Sequence, residues 1–189
     1  MSSLNKTLDK SLESKFNDLK VAINKDKGRW PNAQGVNALI MVYPPEKEDE
    51  CLSRVKNDYS NEYIIDVAEL FIDYIDQFGL DTFKEVYKNY RSTSVFVDDS
   101  SSEEDLLDII LDEIKRAHDK GKKPVLLRTG MLYGTGIRNN DILESDLVTK
   151  SKEPLLIFYP GEIREDISGV ERVYFLGVLK ASDYRGILI

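Results

Sequence analysis

Pro154-Leu155-Leu156-Ile157-Phe158-Tyr159-Pro160-Gly161 places an unbroken apolar run between a proline and a Pro-Gly pair. A run this short, bounded by turn formers, is the pattern of a strand buried on both faces. Ala38-Leu39-Ile40-Met41-Val42-Tyr43, closed by Pro44-Pro45, repeats that pattern. Tyr63-Ile64-Ile65-Asp66-Val67 and Pro124-Val125-Leu126-Leu127 read as two more strands, and 173–178 as a fifth. Helical periods separate them. The segment 46–57 has helical composition, 69–77 carries Leu70, Phe71, Tyr74 and Ile75 at helical spacing, and a further helix runs over 82–90. Strands that alternate with helices imply βαβ units. The expected fold is therefore α/β, one domain with a mostly parallel sheet of about five strands flanked by helices.

The N-terminal segment adds an amphipathic helix. Leu4, Leu8, Leu12, Phe16, Leu19 and Ile23 recur at spacings of four and three, with charged residues between them. Gly28-Arg29-Trp30-Pro31 ends it, since Gly tolerates the left-handed conformation and a residue before proline avoids the helical one. The chain then divides into a helix over 1–27, packed on the domain or on a partner, and an α/β domain over 28–189. Ser100-Ser101-Ser102-Glu103-Glu104-Asp105 offers a cap and first-turn carboxylates to a long helix marked by Leu106, Ile109, Ile110, Ile114 and Ala117. Gly121 follows its last turn, and a short helix is expected over 141–148.

Composition narrows the function classes. A formal charge of -8 with a pI near 4.8 opposes nucleic-acid binding as the main activity, because that needs clustered Lys and Arg. Lys120, Lys122 and Lys123 do cluster, but behind a helix end, where cations favour the dipole. No apolar run approaches the roughly 20 residues of a membrane helix. Met1-Ser2-Ser3-Leu4-Asn5-Lys6 lacks the apolar core of a secretory signal, and the single Cys51 has no disulfide partner within the chain, so a cytoplasmic protein is expected.

Candidate chemistry concentrates in Leu127-Arg128-Thr129-Gly130-Met131-Leu132-Tyr133-Gly134-Thr135-Gly136-Ile137-Arg138. Gly130, Gly134 and Gly136 permit close approach, and Arg128 and Arg138 are candidate anion partners. Two readings stay open: a ligand loop, or a tight turn whose arginines are solvated or paired with surface acids. No phosphate loop follows the first strand, where two prolines remove donors and Glu46, Glu48, Asp49 and Glu50 repel anions. His118, the only histidine, reads as a helix-end residue, and Cys51 beside Leu52 and Val55 as a buried structural thiol. Asp98, Asp99, Glu103, Glu104 and Asp105 read as a loop and a cap rather than a cation site. Most of the aromatics from Tyr59 to Tyr90 are core candidates, with Tyr74, Tyr87 and Tyr90 able to present polar tips at an interface. No catalytic motif is complete, and no metal or cofactor is expected.

In order and spacing, the chain resembles the BrxB family of the bacteriophage exclusion (BREX) defence systems. The resemblance rests on Tyr43-Pro44-Pro45-Glu46, on Thr129-Gly130 through Arg138, on Phe158-Tyr159-Pro160-Gly161, on Phe175-Leu176-Gly177 and on the terminal Tyr184-Arg185. It spans Tyr43 to the C-terminus, departs at the ending Asp183-Tyr184-Arg185-Gly186, and leaves out the first helix. It implies a small non-enzymatic subunit that assembles with a larger PglZ-like protein. Candidate partner- or ligand-binding residues are Arg128, Gly130, Gly134, Gly136, Arg138, Pro160, Gly161, Tyr184 and Arg185. Arg138, Tyr184 and Arg185 are the foremost anchors, because Arg and Tyr are enriched at binding hot spots. The alternative expectation is a nucleotide or phosphate binder that uses the loop over 130–138.

Overall fold

The computed structural model describes residues 10–24, 37–90, 105–165, 169–175, 179–180 and 186–189. Five parallel strands form its centre: β1 (Ala38–Tyr43), β2 (Tyr63–Asp66), β3 (Pro124–Leu127), β4 (Leu155–Glu165) and the short C-terminal strand (Ile187–Leu188), in the order β2-β3-β4-β1 with the C-terminal strand outside β1. The sheet is thus α/β and mostly parallel, as the apolar runs require. Every residue of β1 and β3 is buried, because helices cover both faces.

Strand order explains which helix covers which face. From β1 the chain travels to the far edge at β2, then returns through β3 to β4. Right-handed crossovers in opposite directions put their helices on opposite faces. Two separate apolar clusters show this. One holds Phe16 and Leu19 of α1 (Leu12–Asn24) and Cys51 and Val55 of α2 (Glu48–Asp58) against Leu39, Met41, Leu156 and Phe158. The other holds Tyr74 of α3 (Val67–Phe78) and Ile110 and Ile114 of α5 (Leu106–Asp119) against Ile40, Val42, Leu126 and Ile157. Between them in sequence lies α4 (Leu80–Tyr90). Odd and even positions of each strand divide between the clusters, as a pleated sheet demands.

Local signals hold where they can be compared. Asp105 accepts from the Asp108 amide at 2.9 Å while Asp108 accepts from the Asp105 amide, a reciprocal cap. Gly121, at φ 64°, ends α5 and donates to His118 O at 2.9 Å. Helix α1 lays Leu12, Phe16 and Leu19 on the sheet; Leu4, Leu8, the Gly28-Arg29-Trp30-Pro31 stop, and residues 98–104 lie outside the described residues.

Several expectations need correction. The helix expected over 141–148 is two, α6 (Asn139–Leu143) and α7 (Asp146–Thr149), divided where the Ser145 amide and hydroxyl both donate to Ile142 O. Tyr74 is buried in the core and presents no interface tip. The helix over 82–90 begins earlier, at Leu80, directly after Gly79. Lys123 does not serve the helix end: it bridges Glu62 at 3.2 Å and Glu153 at 3.4 Å, pinning the starts of β2 and β4 to β3. Lys120 sits over the Tyr63 ring instead, 4.6 Å from its centroid.

Helices α1 and α2 are joined by charge. Lys20 Nζ lies 2.9 Å from Asp58 Oδ2, with Arg54 on the same oxygen at 3.5 Å. The hydrogen bond from Lys20 leads in holding the Asp58 carboxyl below its usual 3.8. Because the folded state binds this proton less readily than the unfolded one, the stabilisation is complete above about 3.8 and is lost as pH falls through the lower folded value. Asp58→Asn is therefore expected to flatten the acid limb of stability against pH in urea titrations. An unchanged slope there would refute the tie.

Candidate functional site

In open α/β sheets the functional edge lies at the carboxyl ends of the strands, where neighbouring connections leave for opposite faces. Here β1 leaves toward α2 on one face and β3 toward α6 on the other, with β4 between them. That opening is occupied by the chain itself. β1 ends at Tyr43, opposite Pro160, and β3 ends at Leu127, but β4 runs on over 161–165, about 16 Å further at the rise of a strand. There it pairs antiparallel with β5 (Glu171–Phe175), which pairs with the short β6 (Leu179–Lys180). The fifth strand expected over 173–178 is thus a hairpin partner beyond the parallel sheet. Pro160 stands where the flanking strands stop, a tolerable place for a residue without an N–H.

Close approach decides two of the glycines. A Cβ on Gly161 would stand 2.7 Å from the Tyr174 carbonyl oxygen across the hairpin. One on Gly130 would stand 3.1 Å from Pro160 Cγ and 3.3 Å from Phe175 Cε2. Gly134 and Gly136 serve differently, at φ 86° and 90°, in the turn that carries the chain toward α6. Gly161→Ala is expected to cost about 1–3 kcal/mol in chemical denaturation, since the obstruction is backbone rather than a movable side chain. A neutral result would show that the hairpin shifts freely.

The first residue after β3 is Arg128, the non-glycine residue at positive φ (54°) among those described. Its guanidinium grips the Asp66 carboxylate with both Nε and Nη2, the Nε contact at 2.6 Å, and reaches Glu69 at 3.5 Å. Asp66 also caps α3 by accepting from the Ala68 amide. These hydrogen bonds hold the arginine's pKa above its usual value. Nearby, Tyr43 is fully buried and donates to Glu48 at 3.3 Å; burial, then the Glu48 charge, pushes its phenol far up, so it stays neutral. Lys15 of α1 donates to Val42 O at 2.6 Å behind it.

Arg138 is also paired, donating to Asp141 at 2.7 Å while its backbone amide binds the same carboxylate. Of the two readings open for this loop, the geometry is that of arginines each engaged by an acid of the chain. Thr129 supports the turn by donating to Phe158 O at 3.3 Å. Tyr184 and Arg185 lie outside the described residues.

Cys51 and His118 lie in separate surroundings. Burial pushes the Cys51 thiol up to about 12, which makes it inert at neutral pH. His118 Nε2 lies 3.1 Å from Ser151 Oγ at the opposite, amino-terminal edge of the sheet. Ser151 Oγ also lies 2.7 Å from Glu153 O, so its hydroxyl is shared between the histidine ring and a backbone carbonyl. Burial lowers the His118 pKa. Among the described residues, no group of acids, histidines and cysteine is arranged to hold a metal ion, and no helix is long and apolar enough to cross a membrane.

What sequence reading did not single out is an aromatic stack. Tyr133 lies on Phe175, ring centroids 5.3 Å apart, and Phe175 in turn meets Tyr159 at 5.7 Å. Phe175 and Tyr159 are buried, whereas Tyr133 is 67% exposed and Met131, two residues before it, 39%. The only hint in the sequence was the presence of Met131 and Tyr133 inside a glycine-rich turn. Comparison with models of known protein families, with curated proteins and with solved structures found no match.

Proposed function

We propose that this protein is a non-catalytic interaction subunit that docks a larger partner through the carboxyl-terminal edge of its sheet. The observation that carries the reading is the exposed Tyr133 and Met131 pair on the turn after β3, with the Tyr133 ring stacked on Phe175. Buried or stacked aromatics that present one open face are typical anchors of protein interfaces. Arg128, Arg138 and Tyr43 at the same edge are each engaged by an acid of the chain, which suits a scaffold better than an active site. The BrxB-like arrangement of motifs supports placing the subunit in a cytoplasmic antiphage assembly of the BREX type, beside a PglZ-like protein.

The test is co-purification of the tagged chain with the PglZ-like protein of its own locus. Near-stoichiometric recovery is expected, with loss of the complex on Arg138→Glu while the circular dichroism spectrum stays unchanged. Failure of the two purified proteins to associate would end the partner assignment.

A further inference from the structure

β4 outruns both of its parallel neighbours and leaves one of its sides unclaimed. Its ladder with β1 ends where Tyr43 meets Pro160, and its ladder with β3 where Leu126 meets Ile157. From Gly161 to Glu165 it pairs with β5 alone, so its other edge carries no strand among the described residues. We propose that this edge receives an extended strand of the partner protein, which joins the hairpin by backbone hydrogen bonds. This deepens the interaction reading and rests on it.

The backbone decides what kind of segment fits. In an antiparallel ladder alternate residues turn both N–H and C=O to the neighbouring strand, and the residues between turn both away. Either Glu162 and Arg164, or Gly161, Ile163 and Glu165, therefore aim donors and acceptors at the open side. Among the described residues, no backbone bond outside the hairpin ladder involves Glu162, Ile163 or Glu165. Residues 162–165 are all partly exposed. Extended backbone with one open side is matched by another strand, the mode in which a sheet edge captures a peptide.

Side chains narrow the choice of strand. Glu162 and Arg164 share one face of the hairpin and are tied to each other at 2.8 Å. Ile163 and Glu165 share the other, where Ile163 packs on the core and stands opposite the buried Val173. Glu165 has no ion pair among the described residues. A fitting strand places an apolar residue beside Ile163, a Lys or Arg two positions along beside Glu165, and polar residues between. The charges of β4 also discourage indiscriminate pairing at this edge.

Proline distinguishes the two sides of the strand, because it removes one N–H. Of Glu162→Pro and Ile163→Pro, the one on the β5 ladder is expected to lower the thermal midpoint and the one on the open side to leave it nearly unchanged. A peptide that alternates Thr with Val and Lys is expected to slow amide hydrogen exchange within 161–165 of the wild type, and the same peptide with Pro at each Thr is not. The tolerated proline variant is expected to bind the first peptide about tenfold more weakly. The PglZ-like partner is expected to protect the same amides. Protection by neither peptide nor partner overturns the proposal, and so does protection that appears in the chain alone as its concentration rises, which assigns the edge to a second copy. Partner capture undiminished in the tolerated variant sinks the added strand and leaves the subunit reading standing. Peptide binding at this edge, in a chain that captures no PglZ-like protein, does the reverse.

Discussion

Phe158→Ala is expected to cost about 3–5 kcal/mol of folding stability, a large share of the roughly 5–15 kcal/mol available to a domain. Phe158 is fully buried in the central strand, where α1 and α2 converge on it. Its ring meets Phe16 at 5.9 Å and Tyr59 edge-on at 6.1 Å, so truncation removes apolar contact and leaves a void between two helices and the sheet. Phe158→Leu keeps most of the volume and is expected to cost far less. Because the Phe158 carbonyl also holds Thr129, hydrogen exchange in the turn over 129–133 should quicken in the alanine variant. Urea denaturation with a loss under about 1.5 kcal/mol would mean that this cluster collapses freely around the missing ring.

Asp66→Ala is the second large effect, about 2–4 kcal/mol. The single carboxylate does two things at the end of β2: it caps α3 at Ala68 and holds both donors of Arg128. Loss of the cap costs about 1 kcal/mol, and loss of charged hydrogen bonds about 1.5–3 kcal/mol. Asp66→Asn keeps the cap oxygen and is expected to fall between. Adding Arg128→Gly to Asp66→Ala should recover part of the loss, since glycine adopts φ 54° without strain and no cation is left without its partner. The double-mutant cycle should therefore be non-additive by about 1 kcal/mol or more. Strict additivity would show that the two residues stabilise the edge independently.

The carboxyl-terminal edge was legible as a place before its contents were. Gly134 and Gly136 announce a tight turn because a positive φ is a local need, whereas what crowds Gly130 is Pro160 and Phe175, far along the chain. Nothing local reveals that Arg128 would meet Asp66, a residue 62 positions earlier, because that meeting depends on β2 and β3 lying side by side with Asp66 opposite Leu127. The same holds for Tyr133, whose ring is ordered by Phe175 only after β4 overshoots the sheet and turns back as a hairpin.

By itself the sequence determined the α/β class, the four main strands, the caps of α5 and the burial of Cys51, since apolar runs, helical periods and capping all act over one to four residues. The tertiary structure alone decided the strand order, the assignment of helices to faces, the filling of the opening between β1 and β3 by β4, and the pairing of Arg128 with Asp66. Those features arise from contacts between segments far apart in the chain. Their free energies depend on register and crossover direction, which local spacing does not encode.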